Sequence, residues 1–214
     1  MSRIDELIAK HCPEGVHYKR LGEVGQFERG RRITKNDFVD SGVGCIHYGE
    51  IYTSYGTFAT ETRSFVPPEL AARLRMASHG DLVIAATGET AEAVCKAVAW
   101  LGPEDIAIHD DCYRFEHSLD PLYVSYFFQS SMFRDQKMKY AAGAKVVRVT
   151  GENMAKIRIP VPPKEIQREV VRILTTLESL EAELEAELEA EIEARRRQYE
   201  HCRDRLLTFG ESSA

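Results

Sequence analysis

The side chains best placed to do chemistry in this 214-residue sequence are cations and tyrosines. Glu28-Arg29-Gly30-Arg31-Arg32-Ile33-Thr34-Lys35-Asn36 gathers four cations against one acid in what reads as a loop. Arginine, lysine and asparagine can fork onto guanine or adenine edges, and Gly30 leaves the backbone free for close approach. Residues 134–148 hold Arg134, Lys137, Lys139, Lys145 and Arg148 against Asp135 alone. Tyr48, Tyr52 and Tyr55 interleave polar residues in a second, Gly-flanked loop. The candidate nucleic-acid contacts are therefore Arg29, Arg31, Arg32, Lys35, Asn36, Tyr48, Tyr52, Tyr55, Lys139, Lys145 and Arg148. A solvated loop at 28–36 and core tyrosines at 48–55 are the plain alternatives. In a genuine site, phosphate contacts should outnumber base contacts.

Other chemistries have thinner support. His109 and Cys112 form an HxxC pair with no second pair nearby in sequence, whereas a structural zinc needs about four converging ligands. Asp120 followed by Asp135-Gln136-Lys137 has the acid, acid-x-Lys order of a metal nuclease. Its second half falls within an amphipathic helical pattern and reads as surface charge. No nucleophile-elbow, GxGxxG or Walker sequence is present. No metal and no catalytic residue is expected.

The net charge of −6 counts against nucleic acid until its distribution is considered. Residues 165–214 hold 7 basic and 13 acidic residues, so they carry the whole excess. Residues 1–164 balance at zero and can still present a basic face. The five cysteines are scattered, odd in number and never spaced CxxC, which predicts reduced thiols in a cytoplasmic protein. The acidic, amphipathic start is unlike a secretory signal, and no apolar run approaches the roughly 18 residues of a membrane span.

The elements that must position these residues form an α+β body rich in strands. Ser2–His11 predicts a short helix with Ser2 as its cap. Short apolar runs at Gly44–Tyr48, Asp81–Ala86, Ala93–Trp100 and Cys112–Phe115, separated by Gly, Pro and Asp, predict strands. Pro67–Leu74 predicts a helical turn, and Asp120-Pro121 opens a helix running Leu122–Tyr140. Lys145–Thr150 and Lys156–Val161 are again strand-like.

Pro160, Pro162 and Pro163 then mark a linker, after which the apolar period becomes helical. The expected division is a body at 1–159, a linker at 160–163, a long helix at 164–208 and a flexible tail at 209–214. Steps 173–177–180–184 follow a heptad rhythm and 184–188–192 a stutter. The stripe needs a partner or must fold back on its own domain. The residues proposed to meet a partner helix are Leu177, Leu180, Leu184, Leu188, Ile192, Tyr199 and Leu206. The eight glutamates from Glu178 to Glu193 form a solvated face.

The sequence from Pro160 through Glu165…Gln167 to AEIEARRRQYE…RDRLLTF resembles the conserved helical region of type I restriction–modification specificity (S) subunits. IDELIAKHCPEGV, HYGEIYTSYG, GDLVIAATGE and YAAGAKVVRVTGENMAKIRIPVPP are similar to that family's lead-in and target recognition domain framework. The resemblance implies a DNA-binding subunit without catalysis of its own. It would recruit modification (M) subunits, which carry S-adenosylmethionine and methylate adenine, and in restricting complexes R subunits. It also implies one recognition domain and one helix here where relatives have two of each. A second copy of the chain, paired antiparallel near Leu188–Glu191, would then rebuild the pair as a homodimer on a bipartite site. Glu185–Glu187 and His201-Cys202 depart from the family's pattern. The methyltransferase alternative lacks an Asn/Asp-Pro-Pro-Tyr/Phe motif, because the only Pro-Pro pairs are Pro67-Pro68 and Pro162-Pro163. A coiled-coil adaptor without DNA specificity and a stand-alone metal nuclease remain the other readings.

Overall fold

The computed structural model describes residues 2–143 and 146–209. Its chain forms two compact units, residues 1–171 and 172–214.

The first unit is α+β, built on a five-stranded sheet in the order Gly25–Arg29, Cys112–His117, Leu82–Ala85, Ala97–Trp100, Phe58–Ala59. All pairings are antiparallel except the last. A four-stranded sheet runs Ser64–Val66, Val43–Ile46, Ile106–Ile108, Arg75–Ala77, with its central pair parallel. Both faces of the larger sheet are covered. Leu82, Ile84 and Phe115 pack among Val124, Phe127, Phe128 and Phe133, whereas Val83, Ala85 and Cys112 pack among Ile46, Ile106 and Ile108. Burial on both faces explains why residues 82–86 form an unbroken apolar run instead of an alternating one.

Ser2 caps the helix Arg3–His11 through a reciprocal box with Asp5. Three expected elements differ from the reading of the sequence. Ala93–Cys95 belongs to a turn, and only Ala97–Trp100 is strand. The helix expected at Leu122–Tyr140 is two helices, Pro121–Gln129 and Ser131–Lys137. Ser130 adopts extended backbone (φ −72°, ψ 155°) and its hydroxyl accepts from the Phe133 N–H, so a local cap displaces helix continuation. Tyr48–Thr53 is a helix and not a loop. His47 Nδ1 accepts from the Gly49 N–H at 3.1 Å and Glu50 accepts from the His47 N–H at 2.8 Å, a capping box built on histidine.

The helix Lys164–Leu207 is continuous over 44 residues, about 66 Å at ~1.5 Å per residue. The first unit includes its opening turns, so the boundary between units falls beyond the prolines. Ile166, Gln167 and Glu169 are buried, and Gln167 both donates to the Pro162 carbonyl and accepts from the Asp120 N–H. In the second unit Leu177, Leu180, Leu184, Leu188, Ile192, Tyr199 and Leu206 are all exposed, from 44% at Ile192 to 72% at Leu206. Arg195 and Arg197 pair with Glu191 and Glu193 one turn back. No described helix is long and apolar enough to cross a membrane. Residues 210–214, within the expected tail, lie outside the described residues.

Candidate nucleic-acid interface

Two of the sequence-predicted cationic segments meet at one carboxylate. Arg29 ends the strand Gly25–Arg29; its Nε donates to the Asp110 carbonyl at 2.7 Å and its Nη2 lies 3.7 Å from Asp111 Oδ1. Arg148 reaches the same Oδ1 at 4.0 Å from the strand Val147–Arg148. Both guanidiniums stay more than half exposed, so Asp111 orients them without removing them from solvent. An exposed pair of this kind adds little stability, which leaves its placement of charge as the useful consequence.

Beside Asp111 lies a cleft of about 710 Å³ lined by Tyr48, Gly49, Tyr52, Thr53, Thr87, Gly88, Glu89, Ala93, Asp111, Val146 and Arg148. The helix Tyr48–Thr53 supplies the tyrosines, and the paired strands Thr87–Gly88 and Val147–Arg148 supply the opposite side. The Tyr52 hydroxyl donates to the Thr87 carbonyl at 2.7 Å, and burial raises its pKa. The turn Ala91–Cys95 beside the cleft is held from beneath. Lys137 Nζ, on a side chain only 4% exposed, donates to the carbonyls of Glu92 (2.6 Å) and Val94 (2.5 Å). Cys95 sits at φ +67°, a left-handed conformation that a β-carbon disfavours, where the surrounding bonds fix it.

Tyr48 continues into an aromatic stack with His47 (centroids 4.6 Å) and His109 (5.5 Å), while His47 and His109 meet edge to face at 4.3 Å. Burial, then the neighbouring His109, holds the His47 pKa below the ordinary histidine value; Glu50 and Asp111 oppose that shift, and Lys35 adds to it.

The remaining candidates divide. Arg31 donates to the Arg73 carbonyl at 2.6 Å, and its backbone bridges His109. Arg32, Lys35, Asn36 and Lys139 are exposed, Lys35 and Asn36 within a single 3-10 turn whose Asp37 bonds Thr34. Lys145 lies outside the described residues. Tyr55 is a core residue, 8% exposed, whose hydroxyl accepts from the Arg63 N–H and whose pKa is pushed up to about 12, chiefly by burial. The plain alternative therefore holds for Tyr55, since the helix ending at Thr53 turns its ring inward. Gly30 is likewise corrected. A β-carbon there would collide with the His109 carbonyl oxygen, so the close approach it permits is to its own chain.

The acids and thiols take other places. Asp120 caps the helix Pro121–Gln129, Asp135 is exposed beside Arg134, and Lys137 is buried rather than on the surface. His109 and Cys112 close a turn between strands, with Cys112 in the core. Among the described residues no group of three or more His, Cys, Asp or Glu side chains is arranged to hold a metal ion. Sequence reasoning missed Thr87, Asp111 and His47, and weighed His109 only as a zinc ligand. Thr87 stood within the GDLVIAATGE segment, but no spacing ties it to Arg148 or Tyr52, which arrive from distant segments.

A family model described as the type I restriction modification DNA specificity domain matches residues 13–194. A Haemophilus influenzae protein named as a putative type I restriction enzyme specificity subunit is 25% identical over 203 residues, covering 88% of this chain and 47% of that protein. The StySPI specificity subunit of Salmonella potsdam is 28% identical over 124 residues, 57% of this chain and 27% of that protein. The chain thus spans less than half the length of these relatives. Among solved structures, the HsdS subunit from Thermoanaerobacter tengcongensis shares the fold, with a TM-score of 0.57, 18% identity, and coverage of 85% of this chain and 44% of that one.

Proposed function

The chain belongs to the family of type I restriction modification DNA specificity domains, and from that membership we propose that it reads DNA sequence for partner subunits that do the chemistry. The observation that carries this reading is the convergence at Asp111 and the adjoining cleft. Arginines from two separate cationic segments, two tyrosines and a fixed turn share one face. Exposed Arg32, Lys35, Asn36 and Lys139 supply further cations and polar groups for phosphates, which position a protein on duplex DNA without reading it.

The partners follow from the same reading. M subunits bring S-adenosylmethionine and methylate adenine, R subunits join where the system restricts, and this chain supplies the recognition. The apolar stripe from Leu177 to Leu206 supports pairing with a second copy of the chain, because exposed leucines at helical spacing gain by burial against a like stripe. An isologous two-fold pair reads an inverted repeat around an unread spacer, the bipartite site.

Salt dependence of DNA binding tests the interface. The double variant Arg31→Ala, Arg32→Ala should bind duplex DNA more weakly. Its slope of log K against log[salt] should be shallower by about 0.9 for each phosphate that the protein no longer neutralises. Wild-type affinity and slope in that variant would remove residues 28–36 from the interface.

A further inference from the structure

The lining of the Thr87 cleft is wrong for a phosphate and right for the edge of a base. It holds two carboxylates, Glu89 and Asp111, beside one guanidinium, Arg148. A phosphate site collects donors and cations, and carboxylates oppose it. A base edge presents donors and acceptors together, and arginine forks, hydroxyls and carboxylates each have a match among them. Tyr48 and Tyr52 add aromatic surface to the same lining.

Thr87 supplies an independent observation. Its side chain is 3% exposed, and its Oγ1 has no hydrogen-bond partner among the described residues. A buried hydroxyl left unsatisfied destabilises a fold, and valine would occupy the same volume without that penalty. The ladder pairs Thr87 directly with Arg148, so the two side chains leave the sheet on the same face. Asp111 Oδ1 lies 4.0 Å from an Arg148 guanidinium nitrogen.

We propose that this cleft is the base-specific part of the interface, taking the edge of one guanine. Arg148 forks onto the O6 and N7 acceptors, and the Thr87 hydroxyl finds its missing partner on the base. Asp111 places a counter-charge beside Arg148. The assignment rests on the DNA-reading function proposed above and sharpens it, separating specificity here from phosphate binding at residues 31–36.

Selection from a randomised duplex pool with the full chain, run in parallel on wild type, Thr87→Val and Arg148→Gln, tests it. Wild type should enrich a motif with an invariant guanine. Arg148→Gln should move that position towards adenine, the base a glutamine amide forks onto. Thr87→Val should relax it by about tenfold, the scale of one base contact, while leaving the salt slope unchanged. Free of DNA, Thr87→Val should melt about 2–4 °C above wild type, because the orphaned hydroxyl is gone. A wild-type motif that both variants reproduce overturns this assignment alone, as does a Thr87→Val protein that melts below wild type. A pool left unenriched by wild type overturns the DNA-reading function with it.

Discussion

His47 does three things at once. It caps the helix that carries Tyr48 and Tyr52, stacks on Tyr48, and meets His109 edge to face. Its lowered pKa makes stability depend on pH in a defined direction. The folded state takes up a proton less readily than the unfolded chain, whose histidines titrate near ~6.5. As pH falls through that value the unfolded state binds the extra proton, and stability present at higher pH is lost. His117 acts in the same sense, because burial lowers its pKa against the opposing pull of Asp81. Urea unfolding should therefore give a lower midpoint at pH 5.5 than at pH 7.5, and His47→Asn should narrow the gap. Identical midpoints would place these rings outside the stability of the fold. At this scale the sequence was legible for charge and not for company. The cationic segments were visible, but Asp111, which joins Arg29 to Arg148, stood out by no motif of its own.

Among the elements, the long apolar run at 82–86 and the capped first helix were readable because their signals are local. Two of the errors are helix starts set by a side chain bonding the backbone, where the apolar pattern alone gave no boundary. Ser130 splits one helix into two, and His47 with Glu50 starts a helix where serine or threonine is the usual cap. Gly30 looked free for DNA because sequence does not show the strand Ile106–Ile108 lying against it. The helix Lys164–Leu207 followed from periodicity and the absence of glycine and proline. Its stripe makes a quantitative expectation. Leu184 and Leu188 are 65% and 61% exposed, so charge there should leave the helix intact and remove association. Light scattering at micromolar concentration should give twice the 24.2 kDa chain mass for wild type and the single-chain mass for Leu184→Glu, Leu188→Glu. Wild type at the single-chain mass would exclude the homodimer.

For the whole molecule, the charge of −6 describes the wrong surface. The excess acid lies at 165–214, while residues 1–164 are balanced and bring Arg29 and Arg148 together at Asp111. That separation reconciles an acidic chain with DNA, whose affinity depends on local phosphate contacts and not on net charge. The proposed division of labour, in which this chain reads sequence and partners carry the reaction, rests on family membership and on the cleft. The most direct test is binding of the purified wild-type chain to the winners of a randomised duplex selection, titrated with salt. The account predicts one enriched motif, bound with an affinity that falls linearly in log K against log[salt] and exceeds that for scrambled duplex by about 10³-fold or more. Equal affinity for selected and scrambled duplex at every salt concentration would contradict it.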